Sequence, residues 1–116
     1  YLFTTIKNTN KQNKKNVNIV YMETIDKRIN ISKCMKYLAD QDINNIFIEA
    51  GPTLIKSFLK KSLIDEMILY ISPKIIGSTG KTFSGVTHIK NLSKKIKFRI
   101  SDMIPIGNNI KVRLEK

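Results

Sequence analysis

Segments of strand-like and helix-like sequence alternate along this chain, and they predict an α/β fold: a mostly parallel sheet flanked by helices, with an antiparallel hairpin at its C-terminal end. Three observations carry the prediction. The run Ile46-Phe47-Ile48 stops on Glu49, and Ala50-Gly51-Pro52 follows, which reads as a buried strand turning directly into a helix. Met67-Ile68-Leu69-Tyr70-Ile71 is apolar at consecutive positions, as an interior strand covered on both faces would be. Near the end the pattern changes to strict alternation: Ile96, Phe98 and Ile100, then Ile110, Val112 and Leu114, flank Gly107-Asn108-Asn109. A chain of 116 residues has room for one domain with a modest core.

Taken in order, Tyr1 to Ile6 reads as a strand. Lys7 to Asn16 is too polar to bury and reads as an exposed loop, and Val17 to Met22 reads as a second strand. Asn30 is a capping residue for a helix whose apolar positions Ile31, Cys34, Met35 and Leu38 fall on one stripe. Asn45 to Glu49 is the strand before the turn. From Pro52 to about Ser62 a second helix places Leu54, Ile55, Phe58 and Leu59 on one side and Lys56, Lys60 and Lys61 on the other. Glu66 to Ser72 is the interior strand, and Pro73 and Gly77 to Gly80 end it in a loop. Gly80 to Ser93 has weak periodicity and reads as loop with a short helical turn near Lys90. The closing hairpin should have one face on a core and one in water.

The net charge of +12 invites a nucleic-acid reading, but the composition argues against it. All the basic residues except Arg28, Arg99 and Arg113 are lysine, whereas base readout and bidentate phosphate recognition lean on the planar fork of arginine. Lysine accompanies much isoleucine and asparagine, the signature of A/T-rich codons, and the lysines lie along every element instead of clustering. They read as a solvated coat whose general field favours small anions. One cysteine, Cys34, makes no intramolecular disulfide and no metal site alone, so a reducing cytoplasm is expected. No run is long enough to span a membrane, and no leader pattern is present. A chain that opens on Tyr1 inside a strand-like run is expected to be a piece or a processed product.

The strand-to-helix turn concentrates the chemistry. The strand delivers the carboxylate of Glu49 to its end, and the helix opened by Pro52 points bare backbone N–H groups into the same crevice. Helix N-termini are ready anion sites, and α/β sheets bind ligands beyond the carboxyl ends of their strands. A phosphorylated ligand or a dinucleotide fits that pairing. Gly51 would let a pyrophosphate approach the backbone, Pro52 gives up only an N–H that would be orphaned anyway, and the amides of Thr53 and Leu54 with the Thr53 hydroxyl would meet the anion.

Ile-Phe-Ile-Glu-Ala-Gly-Pro-Thr-Leu (46–54), followed by Phe58-Leu59, Leu63-Ile64-Asp65-Glu66 and Leu69-Tyr70-Ile71-Ser72-Pro73-Lys74-Ile75-Ile76-Gly77, resembles the reductase domain of riboflavin biosynthesis. The likeness runs on through the Phe98 strand and the Ile106-Gly107-Asn108-Asn109 turn. It covers residues 43 to 116, and residues 1 to 42 agree only in the order of elements. The resemblance implies a dihydrofolate-reductase-like fold, here a partial domain. It implies NADPH as cofactor and, as substrate, the phosphoribosylamino-pyrimidine 5-amino-6-(5-phosphoribosylamino)uracil, whose ribose is reduced to a ribityl chain. Glu49 maps onto the family's substrate contact. Gly51, Pro52, Thr53, Leu54, Ile55, Lys56 and Ser57 map onto the stretch that holds the cofactor phosphates. A homodimer is expected, with a missing N-terminal half or a separate chain completing the site. This chain departs from many members in carrying Ala50 where they have glycine, and it has no deaminase zinc motif.

Plainer readings stand beside these. Asp65-Glu66 reads as a turn salt bridge or cap, Tyr70 as a core tyrosine with a tethered hydroxyl, Lys74 as a solvated lysine and Cys34 as core. His88, in an irregular loop, has no partner in sequence. Two other functions stay open: a non-catalytic reductase-like half kept for dimerisation, and a lysine-rich nucleic-acid-associated module.

Overall fold

The computed structural model describes residues 1–7, 16–86 and 96–116. The element order is β1 (Leu2–Thr4), β2 (Ile19–Tyr21), β3 (Thr24–Ile25), β4 (Arg28–Ile29), α1 (Ile31–Ala39), α2 (Pro52–Lys60), β5 (Glu66–Ile71), β6 (Arg99–Ile106) and β7 (Asn109–Glu115). Contacts divide it into two units, Tyr1–Ile48 and Glu49–Lys116.

In the first unit β1 and β2 pair in parallel, Leu2 opposite Ile19 and Thr4 opposite Tyr21. Tyr37 of α1 meets the rings of Tyr1 and Phe3 edge-on, with centroids 5.7 and 5.8 Å away, an arrangement that suits the aromatic quadrupole. Met22, Ile31 and Cys34 are buried beside the buried Asn30, whose side chain accepts from the Lys33 amide and caps α1 as its sequence position predicts. A small antiparallel hairpin, β3–β4, carries no clear signal in the sequence. Its turn residues Asp26 and Lys27 both have positive φ, 51° and 61°, without the glycine that usually signals such a turn.

In the second unit β5, β7 and β6 form one antiparallel sheet in that order. The expected mostly parallel sheet is therefore not what is observed: among the described residues only β1–β2 is parallel, and every other ladder is antiparallel. Nor does Asn45 to Glu49 form a strand; no described strand pairs with it, and Phe47 is 81% exposed. A run apolar enough for a buried strand still needs a hydrogen-bonding neighbour to become one. The same reason corrects β5. Among the described residues it lies at an edge, paired only with β7, and its burial alternates along Glu66 to Leu69 instead of being complete.

The hairpin begins at Arg99, so Ile96 and Phe98 precede the ladder, and it turns through Gly107-Asn108 with Asn109 already paired to Ile106. Gly107 at φ +55° supplies the left-handed first position that a two-residue turn requires. A bulge between Ile100 and Asp102 shifts the alternation by one residue. One face therefore carries Met67, Leu69 and Ile71 beside Leu114, Val112 and Ile110, and beyond them Ile100, Met103 and Pro105. The other carries Glu66, Arg113, Glu115, Arg99 and Asp102 at one end, and Tyr70, Lys111 and Ile104 nearer the turn. Val112 is buried, but all of β6 is exposed, so the expectation of one dry face holds only where other residues cover the sheet. Beside that face Leu59 of α2, Phe83, Val86 and Phe98 line an open apolar cavity of about 190 Å³ together with Met67 and Leu114.

Both helices end in the same way. Asp42 (φ 59°) and Ser62 (φ 54°) take the left-handed position. The amides of Ile43 and Leu63 reach back to Leu38 and Phe58, and those of Asp42 and Ser62 to Ala39 and Leu59. These are Schellman closures, built without glycine. The helical turn expected near Lys90 lies outside the described residues.

Candidate functional site

The residues singled out in sequence fall at the start of the second unit. Gly51 is the N-cap of α2 and Pro52 its first residue, as the sequence predicts. Gly51 has φ −74° and ψ 170°, extended backbone open to any residue, and a Cβ there would meet nothing within 4 Å. The fold thus makes no demand for glycine at 51. What a glycine adds at that place is room for something outside the chain to approach the backbone.

The cap carries no side chain, so the first turn is bonded through its own backbone. The amides of Leu54 and Ile55 both donate to the Gly51 carbonyl at 3.1 Å. That corrects one expectation: the Leu54 amide is already engaged and is not free for an anion. Among the described residues the Gly51 and Thr53 amides are without partners, and Thr53 is exposed. Ser57 turns its hydroxyl back onto the Thr53 carbonyl at 3.1 Å, so it braces the first turn and does not project from it. Ile55 and Lys56 are half-buried, while Leu54 is 43% exposed although it belongs to the apolar stripe. No acidic residue sits in the first turn to offset the positive end of the helix dipole, and Lys60 sits in the last turn, at its negative end.

Glu49 is exposed and makes no hydrogen bond or ion pair among the described residues. It lies two residues before the helix cap. Sequence reasoning missed Gly85. It has φ +56°, and a Cβ on it would stand 2.9 Å from the Pro52 carbonyl oxygen and 3.2 Å from its carbon. The segment Phe83–Val86 therefore rests directly on the first residue of α2. A glycine in a weakly patterned stretch was the signal for it, but its partner was not readable.

The other residues sort plainly. Glu66 pairs with Arg113 across β5 and β7, a structural role but a cross-strand pair and not the turn salt bridge or cap expected of Asp65-Glu66, and it raises the Arg113 pKa. Arg99 and Arg113 both engage Glu115. Tyr70 is 69% exposed, not a core tyrosine, because its side of β5 has no covering layer among the described residues. Cys34 is 4% exposed, and burial pushes its thiol pKa up. His88 lies outside the described residues. No group of metal-ligating side chains and no helix long and apolar enough to cross a membrane occurs among the described residues.

These features define an α/β protein with a carboxylate leading into a helix start that has no side-chain cap. The chain belongs to the RibD C-terminal domain family, which it matches over residues 1–112. It is 39% identical over 97 residues to a riboflavin biosynthesis protein RibD of Buchnera aphidicola subsp. Baizongia pistaciae, covering 84% of this chain and 26% of that protein. It is 35% identical over 100 residues to a 5-amino-6-(5-phosphoribosylamino)uracil reductase of Buchnera aphidicola subsp. Acyrthosiphon pisum, covering 86% of this chain and 48% of the relative. Among solved structures, RibD of Acinetobacter baumannii superposes with a TM-score of 0.70 at 28% identity, over 84% of this chain and 26% of that one. The chain thus spans half or less of the length of these proteins.

Proposed function

We propose that this chain is part of an NADPH-dependent reductase that converts 5-amino-6-(5-phosphoribosylamino)uracil to its ribitylamino product in riboflavin biosynthesis. The observation that carries the reading is the turn at 49–53: a glycine the fold does not require, at a helix start without a side-chain cap, behind a free carboxylate. Two of the relatives bear names from this pathway, and one is named for this reduction.

When bound, the cofactor supplies the hydride that reduces the sugar carbon. The chain's own groups bind and orient. The Gly51 and Thr53 amides, the Thr53 hydroxyl and the dipole of α2 hold cofactor phosphate, with Pro52 setting the helix start and Leu54, Ile55, Lys56 and Ser57 forming the rest of the first turns. Glu49 holds ribose hydroxyls, or steadies the positive charge that develops on the imine-like carbon in the transition state. The remainder of the reductase, on this or a separate chain, completes the site, and the assembly works as a homodimer in the cytoplasm.

The test is an NADPH titration followed by melting temperature at low and high salt, with Gly51→Val alongside. Because Gly51 is extended with open space around its Cβ position, the valine should leave the fold intact. A salt-tolerant rise in melting temperature, lost in the variant, supports the reading. The absence of a shift in both proteins, together with a stable dimer, would favour the non-catalytic half instead. Nucleic-acid binding that falls steeply with salt would favour the third reading.

A further inference from the structure

Helix α2 opens on Pro52 but has no side-chain cap. Its cap residue has no side chain to accept from the first amides, and no acidic residue occupies its first turn. The first turn is closed by its own backbone onto the Gly51 carbonyl, and a further contact reaches it from about thirty residues downstream. Gly85 lies against Pro52 backbone to backbone: a Cβ there would fall 2.9 Å from the Pro52 oxygen, 3.2 Å from its carbon and 3.3 Å from its Cβ. The positive φ of Gly85 is a second, independent demand for glycine. On either side of it, Phe83 and Val86 enter the apolar cavity lined also by Leu59, Met67 and Leu114. The segment 83–86 thus rests on the start of α2 at Gly85 and lines the apolar cavity with Phe83 and Val86.

We propose that Gly85 is a positioning residue for the Gly51–Thr53 turn: its close approach to Pro52 fixes the direction in which the free Gly51 and Thr53 amides point, and so the affinity for a dinucleotide phosphate. The proposal rests on the reductase reading for its ligand, but not for the grip itself. A tertiary strap replaces the side-chain cap and leaves the amides bare, which a capping serine or aspartate would not.

The experiment records the backbone amide resonances of the full chain and its NADPH affinity by fluorescence, for wild type, Gly85→Ala and Phe83→Ala. Gly85→Ala forces backbone apart from backbone; Phe83→Ala loosens the strap from the cavity side, at a residue already 56% exposed. The expected result is that both variants move the Gly51 and Thr53 amides, leave those of β5 and β7 in place, and weaken NADPH binding, by about tenfold or more in Gly85→Ala. A merely structural role would lower the melting temperature and leave the dissociation constant, measured well below melting, unchanged; that result overturns the proposal, as do unmoved Gly51 and Thr53 amides. Should Gly85→Ala fail to fold, Phe83→Ala decides the question by the same two readouts. A wild-type chain that does not bind NADPH would sink the reductase reading at this turn, and the amide shifts would then judge the strap alone.

Discussion

Glu23, just before β3, and Lys33, in the first turn of α1, are two exposed side chains that meet. The Lys33 ammonium, by hydrogen bond and by charge, holds the Glu23 carboxyl below the usual carboxylate range. The sign follows from linkage: a carboxyl with a lowered folded pKa contributes stability above its unfolded pKa, and that contribution fades as pH falls through the folded value. Both groups are exposed, so the contribution is small. The prediction is spectroscopic: in a carbon-detected titration Glu23 should lose its proton at lower pH than an ordinary glutamate, and Lys33→Ala should return it to the normal range. Unchanged titration in that variant would mean the pair does not form in solution. Cys34 shows the opposite sign, since burial favours its neutral thiol. It is a small core hydrophobe, and its residue type and place on the α1 stripe were enough to show that.

At the scale of elements, the helices and the closing hairpin were legible, and the pairing of strands far apart in sequence was not. A helix closes its own hydrogen bonds, so the spacing of Ile31, Cys34 and Leu38, with Asn30 before them, suffices to place α1; Pro52 and the pair Phe58-Leu59 do the same for α2. A strand depends on a neighbour that the local sequence does not name. Ile46 to Glu49 and Glu66 to Ile71 have equally good strand composition, yet only the second finds a partner among the described residues, and that partner is β7, antiparallel. The candidate turn was legible because Glu49, Gly51 and Pro52 are contiguous; Gly85 was not, because its contact with Pro52 is tertiary. The end of α2 was expected near Ser62, but the form of both helix closures was not legible: the Schellman closures put Asp42 and Ser62 where glycine is the usual signal. Those residues hold left-handed backbone at a cost that glycine avoids. Asp42→Gly and Ser62→Gly should therefore each stabilise the chain by about 0.5–1 kcal/mol, the relief of strain exceeding the entropy glycine adds to the unfolded state. Urea unfolding checks it: the midpoint should rise with an unchanged slope. A lower midpoint in either variant would mean its side chain contributes more than its backbone costs.

At the scale of the whole molecule, two properties oppose each other. A net charge of +12 keeps copies apart, while much apolar surface lies open: Ile71, Met103 and Ile110 on one face of the three-stranded sheet, Tyr70 and Ile104 on the other. Among the described residues no side chain is less than 2% exposed, so the interior is thin, and contact with another surface has much to add. Salt decides between the two, because it screens repulsion between exposed charges while leaving apolar contact intact. Sedimentation velocity should therefore find the chain less associated at low ionic strength and more so at high. Met103→Lys combined with Ile104→Lys places a charge on each face of β6 near the turn, where both wild-type side chains are exposed, so the fold should survive and the association should fall. Association that instead weakens with salt would trace the contact to the ion-paired end of the sheet, around Arg99, Arg113, Glu66 and Glu115. Association indifferent to the double lysine would remove the hairpin from the homodimer proposed above and place its interface on other surfaces.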